Sequence, residues 1–448
     1  MNSVESRERR SEGGSLGEMR PTLLLAAAKW WPLAARLAVA LRDHGCDIVA
    51  VCPAHHSLCY VSGIRAVYPY RGRASLESLR HAMRESRADF VVPCDDGVVA
   101  QLHVLHARDP DLAALIERSL GPAPSYPIVR SRYRLLRLAA DLGVRVPETR
   151  EVLGEADLAA WHGDGGVPAV VKRDGENGGN GVVISRSLEE SIAAYREFRS
   201  RPSALTAYKR LAIDLDALGL WRRSSPFEAG VTVQRFIEGR PANCMFACRG
   251  GTLLGVVSVI VVASEGPTGA ATVVRIVRDE AMRAAAQTIA GNLGLTGFYG
   301  LDFIIDGSGA AYLIEMNPRC TQLGHLELPG IGSVAGVFAA ALRGVACVPP
   351  GNPIQRDLIA LFPQAQAAGP SCRPLIEASY HDVPVGEPEL VRELLRVPQP
   401  RRHWRARLYH AFKRVNPAAP TLFEPSESLL GPAARLGGPP HRRALELT

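Results

Sequence analysis

Residues 300–319 read GLDFIIDGSGAAYLIEMNPR, two apolar segments parted by a Gly-Ser-Gly centre and carrying polar groups at the ends remote from it. Apolar runs joined by such a turn predict a β-hairpin. With the turn centred near Ser308 and Gly309, Asp302 falls opposite Glu315, since both lie about the same distance from that centre. Strand alternation puts Leu313, Glu315 and Asn317 on one face. Two carboxylates directly opposed across a hairpin have Cβ atoms about 4.5–5.5 Å apart and repel each other. A divalent cation with hard oxygen ligands would offset the repulsion, held by both carboxylates and the Asn317 amide oxygen, with phosphate oxygens completing an octahedron. A plain salt bridge from Arg319 is the alternative, and the Asn and Arg of ExNPR favour the metal.

A second stretch, KRDGENGGNG at 172–181, lies between the apolar runs VPAVV and VVIS and reads as strand-loop-strand with one lysine at its entrance. No Ser or Thr follows a Gly-Lys pair, so it is not a P-loop; it is either an ordinary turn or a cover for polyphosphate. Lysine is scarce in this chain. Of 52 basic residues only Lys29, Lys172, Lys209 and Lys413 are lysines, which marks Lys172 as a compact point charge in an arginine-rich protein.

Upstream, TLLLAA, CDIVAVC and DFVVPCDD read as buried strands alternating with helical stretches, the pattern of a doubly wound parallel sheet over about residues 21–125. None is followed by GxGxxG, so this half does not bind a dinucleotide. Asp95 and Asp96 sit at the carboxyl end of a strand, where open α/β sheets place ligand crevices; they read equally as solvated loop acids. GPAPSYP at 121–127 is a joint. Beyond it helices and antiparallel-looking strands mix over about 126–345 as an α+β domain, with the arginine-rich stretch from Tyr195 to Arg223 longer than its flanking elements need. Residues 1–20 are polar and read as disordered, and 346–448 form an extension rich in Pro, Gly and Arg.

The charge of +7 is concentrated at the end of the chain: residues 401–448 hold nine Lys or Arg and three Glu. The remainder is nearly neutral, which argues against a nucleic-acid-binding body. RRHWRARLYHAFKRVNP places Trp404, Leu408, Phe412 and Val415 on one helical face with basic residues around it, so 401–417 fits either an anionic membrane surface or the protein's own body. Hydrophobic residues make up 47% of the chain, yet the longest apolar stretch is broken by Lys29, Pro32 and Arg36, short of the roughly 20 residues a spanning helix needs. Nine cysteines without paired spacing read as reduced thiols of a cytoplasmic protein. CPAHHSLC (Cys52, His55, His56, Cys59) has ligand-type residues but lacks a second half, and reads as a loop after a strand.

VVKRDGENGGNG, QRFIEGR, GLDF and LIEMNPR, in that order, resemble the ATP-grasp superfamily, and the α/β half before them resembles the domain that precedes it in these enzymes. The resemblance covers about residues 126–345. It implies a mixed α/β and α+β protein in which a doubly wound parallel-sheet domain is followed by a two-lobed ATP-grasp domain. It further implies that Arg132 and Lys172 contact ATP phosphates, that Gly178, Gly179, Asn180 and Gly181 close over them, and that Gln234, Arg235, Phe236 and Ile237 form the hinge holding adenine. Asp302, Glu315 and Asn317 then resemble the ligands of Mg²⁺ or Mn²⁺, and Arg319 the cation beside the transferred phosphoryl group. Two departures stand out: Gln234 occupies an acidic hinge position, and Pro241, Ala242 and Asn243 fall where a ribose-holding Glu is common, with Asn243 and Glu238 the nearest substitutes.

Members of this superfamily typically activate a carboxylate with ATP and join it to an amine, so the partners implied are a small-molecule carboxylate and amine and not nucleic acid. Arg275 in TVVRIV, the only cation of an apolar strand, reads either as a substrate or γ-phosphate ligand or as an edge arginine. A phosphotransferase on the same fold and an ATP-binding protein without turnover remain as the other classes.

Overall fold

The computed structural model describes residues 20–175, 181–200, 229–266, 269–330, 332–348, 352–396 and 421–422. The expected tips of the glycine loop (Gly178, Gly179, Asn180), most of the arginine-rich stretch and the basic helix over 401–417 lie outside them.

Four strands, β1 (Thr22–Ala26), β2 (Asp47–Cys52), β3 (Ala66–Pro69) and β4 (Phe90–Pro93), pair in parallel in the order β3-β2-β1-β4. Their continuous apolar runs follow from burial on both faces. Leu23 and Leu25 pack with helix Leu33–Asp43, while Leu24 and Ala26 pack with helices Ser75–Ser86 and Asp96–Arg108 on the other side. This is the expected doubly wound sheet.

A small antiparallel lobe follows, built from β5 (Thr149–Glu151), β6 (Ala169–Arg173), β7 (Val182–Ser185) and β8 (Val231–Arg235) in the order β5-β8-β6-β7. Trp161, Leu158 and Phe198 from its two helices fill the space beneath Val171 and Val233. The large sheet runs β13-β12-β9-β10-β11, from β9 (Gly239–Arg249), β10 (Thr252–Ser264), β11 (Ala271–Val277), β12 (Gly297–Asp306) and β13 (Ala311–Asn317). One face packs on helices Arg132–Asp141 and Glu280–Leu293. The other shares a single hydrophobic core with the N-terminal sheet and helix Val334–Arg343.

That large sheet does not stop at the expected boundary near residue 345. β14 (Leu358–Ala360) pairs with β11, and β15 (Tyr380–His381) pairs with β14. These strands are too short to show a period of two, which is why the Pro- and Gly-rich composition hides them. The same segment is bolted to the N-terminal domain: Asp382 accepts from Arg36 and lies 2.8 Å from His325 Nε2, and Glu387 accepts from Arg42 Nη1 at 2.6 Å and the Ser62 backbone at 2.8 Å.

Asp382 and both of its partners are less than 10% exposed at the side chain, and burial holds His325 below its ordinary pKa despite the carboxylate beside it. Arg36 therefore supplies the charge that balances Asp382. Removing one member of a buried charged pair strands the other, at a cost of about 3–5 kcal/mol. Asp382→Ala should lower stability by that order in urea unfolding, whereas Asp43→Ala, which breaks an exposed pair with Arg42, should change it by less than about 1 kcal/mol.

Candidate active site

The hairpin β12–β13 brings Asp302 directly opposite Glu315, as the turn geometry requires. The route is different from simple alternation. Phe303 pairs with Leu313 and Ile305 with Ala311, so Ile314 is an extra residue between the Leu313 and Glu315 rungs. Such a β-bulge reverses the alternation on one strand. Leu313, fully buried, joins Phe303 in the core beneath the sheet, and Glu315 turns to the opposite face beside Asp302. The expectation that Leu313 and Glu315 share a face is corrected by this bulge: without it Glu315 would oppose Leu301, in the core.

Asp302 is gripped by amides. Asn243, its register partner on β9, donates to Oδ1, and Asn317 Nδ2 donates to Oδ2 at 2.8 Å. Each amide is oriented in turn: Thr321 Oγ1 donates to Asn243 Oδ1 at 3.3 Å, and Arg319 Nη2 donates to Asn317 Oδ1 at 3.2 Å. Thr321 can reach because it closes over Gly300, where a Cβ would meet its Cγ2 at 2.3 Å. Burial and the neighbouring Glu315 push the Asp302 carboxyl above its ordinary pKa, against the pull of both amides and Arg319.

Glu315 faces a different cation from the one expected. Arg132 Nη2 donates to Glu315 Oε1 at 2.6 Å, while its Nη1 lies 3.3 Å from Asp174 Oδ1. Arg132 opens helix Arg132–Asp141, where Ser131 accepts from the Arg134 backbone as the N-cap, and it is 7% exposed. One guanidinium thus spans from the large sheet to the base of the glycine loop. Burial raises the Asp174 carboxyl to about 6 even with Arg132 alongside.

Lys172 projects from β6 and donates to Gln234 Oε1 on β8 at 2.8 Å, with Gln234 Nε2 bonded to Thr149 Oγ1 at 3.1 Å. At 4% exposure, burial and then the nearby Arg132 lower its ammonium to about 7. This explains the unusual Gln234: a neutral acceptor satisfies the lysine without adding another carboxylate. The loop begun at Lys172 is drawn closed by the Arg173 N–H donating to the Gly181 carbonyl at 2.9 Å, and Gly181 adopts φ +96°, a left-handed conformation suited to glycine.

Arg319 is 8% exposed, and its ion-pair partner among the described residues is Asp96, not an acid of its own hairpin. Its Nε donates to Asp96 Oδ2 at 2.9 Å, across the interface with the N-terminal domain. Burial alone would lower its pKa, but Asp96 together with Asp95 and Asp302 holds it raised. Asp95 instead caps helix Asp96–Arg108, accepting from Val98 and from the Ala28 backbone at 2.9 and 2.6 Å.

The hinge residues are less uniform. The Arg235 backbone N–H donates to Glu148 O and its side chain to Glu148 Oε2 at 2.7 Å, while the Phe236 N–H donates to Pro168 O; Phe236 and Ile237 are half-buried. Asn243 donates to Asp302, and Glu238 is exposed. Arg275 is not brought into the cluster. It pairs in register with Ile260 on the face turned toward the helical core, opposite to Asp302, with Nε 3.8 Å from Asp357. At the CPAHHSLC loop, His56 is tied to the Lys29 carbonyl and the Leu58 N–H, and among the described residues no group of three or more His, Cys, Asp or Glu could hold a metal. Asp174, Thr321 and the partner roles of Asn243 and Asp96 escaped the sequence because each acts through a residue far along the chain; the Asp-Asp pair at a strand end was the visible signal for Asp96.

Residues 219–322 match the family model of the ATP-grasp domain. Curated protein sequences give no match. Among solved structures, biotin carboxylase from Campylobacter jejuni superposes with a TM-score of 0.54 at 15% identity, over 74% of this chain and 73% of that one. N5-carboxyaminoimidazole synthetase from Staphylococcus aureus gives 0.52 at 13%, over 74% and 80%. The biotin carboxylase domain of the 2-oxoglutarate carboxylase from Hydrogenobacter thermophilus gives 0.52 at 15%, over 76% and 71%. At such identities the likeness is one of fold. The matched residues include the hinge segment and the hairpin, and they lie inside the fold shared with these structures.

Proposed function

We propose that this protein is an ATP- and Mg²⁺-dependent ligase that activates a carboxylate as an acyl phosphate and joins it to an amine, releasing ADP. The observation that carries this reading is the facing pair Asp302 and Glu315, set on the sheet across from buried Lys172 with Arg132 between them. The similar structures include a biotin carboxylase in complex with β-γ-ATP and another with MgADP and bicarbonate, which supports nucleotide binding by a protein of this fold.

The donor set fits a hard cation. Asp302, Glu315 and, once it releases the Arg319 N–H, the Asn317 amide oxygen supply hard oxygen donors with no thiolate or imidazole, and the two carboxylates carry a repulsion that a divalent ion relieves. Mg²⁺ bound there would neutralise charge on the phosphates during transfer. Lys172 and Arg132 bind the phosphate chain, and Arg319 stabilises the charge that builds on the transferring group. The γ-phosphoryl group passes to a substrate carboxylate oxygen as the bond to ADP breaks. The amine then attacks the acyl carbon, phosphate leaves with the bonding pair, and the amine loses a proton. This is catalysis by positioning and electrostatics, and it uses no protein nucleophile. Buried Cys320 has its thiol pushed up to about 12 by burial, in keeping with a packing role.

Glu315→Ala and Lys172→Ala should each reduce ATP turnover by at least about 100-fold, measured as ADP release; unchanged turnover in either would overturn the assignment. In wild type, ADP release should require a carboxylate and an amine together. A stable phosphorylated product with no amide would point to a phosphotransferase instead.

A pH dependence follows from Lys172. With its ligand-free pKa at about 7, part of the population is neutral at neutral pH, whereas phosphate beside it favours the ammonium form. Nucleotide binding should therefore take up a proton, and affinity should fall as pH rises above 7. Calorimetric titration of MgATP in buffers of different ionisation enthalpy checks this: Lys172→Arg, always charged, should lose that share of the proton uptake and flatten the pH profile between 7 and 9.

A further inference from the structure

Arg319 lies just past the last paired residue of β13, after Pro318, where no strand pairing holds it. A long, flexible side chain has many rotamers open to it, so something else must aim it. Its contacts are Cys320 O at 3.3 Å, Asn317 Oδ1 at 3.2 Å and Asp96 Oδ2 at 2.9 Å. The first two come from neighbours in sequence and are neutral. Asp96 is charged, comes from the other domain, and meets the guanidinium where the two side chains are only 10% and 20% exposed.

The N-terminal domain is built to hold Asp96 still. Asp95 ties the start of helix Asp96–Arg108 to both Val98 and the end of β1 through Ala28. Directly beneath, Phe90, Val92 and Cys94 of the β4 segment share one packed core with Phe298, Cys320 and Phe338 of the ATP-grasp side. A close-packed core transmits position with little slack, and it sets the distance between residue 96 and residue 319. From Asp96 the hydrogen bonds run without a break through Arg319 and Asn317 to Asp302.

We infer that Asp96 is a positioning residue: the N-terminal domain uses it to aim Arg319 at the terminal phosphate of the nucleotide. The inference rests on the nucleotide-site reading above and adds to it that the preceding domain sets the geometry of the phosphoryl-transfer cation. Asp96 touches neither nucleotide nor substrate in this role. A plain interdomain salt bridge would instead affect only stability.

The test is a comparison of MgADP with a Mg²⁺-bound non-hydrolysable ATP analogue in equilibrium titration, since only the latter presents a terminal phosphate to Arg319. Asp96→Ala should weaken analogue binding by about tenfold or more and leave MgADP affinity within about twofold. Arg319→Ala should lose at least as much, and the double variant no more than Arg319→Ala alone, because the two act as one unit. Asp96→Asn keeps an acceptor for the Nε–H and should restore most of the discrimination; it also serves if the alanine variant is unstable. Wild-type discrimination in both Asp96 variants, or an equal loss for the two nucleotides, would overturn the inference while leaving the nucleotide site standing. A wild-type protein that binds neither nucleotide would remove the site reading and this inference with it.

Discussion

Two carboxylates forced to face each other, Asp302 and Glu315, are the constraint around which the rest is arranged. Opposed acids on neighbouring strands are unfavourable unless something offsets the charge, and the surroundings are organised to do so. Two amides grip Asp302, Arg132 reaches in to Glu315, and Asn317 relays Arg319 toward the pair. In the proposed function, the same facing acids are the feature that a divalent cation would neutralise.

Arg132 and Lys172 carry the consequence to the second lobe. Both are buried, so each is sensitive to the other: Arg132 helps to lower Lys172 while holding Asp174 and Glu315. Arg132 is a counter-ion bridging the two sheets. Phosphate and metal entering the cleft would redistribute those charges without exposing any of them to water, and this is the property a site for charge transfer needs.

Much of this was legible in the sequence. The parallel N-terminal sheet follows from continuous apolar runs alternating with helices, the hairpin from its turn, and the pairing of Asp302 with Glu315 from distance to that turn. What the strand period could not reveal was the bulge at Ile314, because one extra residue changes the facing of Leu313 while leaving the sequence pattern intact. Short strands β14 and β15, buried in a Pro- and Gly-rich segment, left no periodic signal. Arg275 looked conspicuous as a lone cation in an apolar strand, yet sheet order and facing put it on the other side of the sheet from the acids.

The sequence by itself determined which chemical groups are available and, through local spacing, which of them share a hairpin or a loop. Lys172 at the mouth of a glycine loop and ExNPR at the end of a strand are local facts of this kind. Only the tertiary structure decided who partners whom: Arg132 with Glu315, Asn243 with Asp302, and Asp96 with Arg319 across 223 residues. Periodicity reports which way a residue faces within its own element, whereas these contacts arise where separate elements are packed together, and their distances are set by the shared core between domains and not by the chain between the partners.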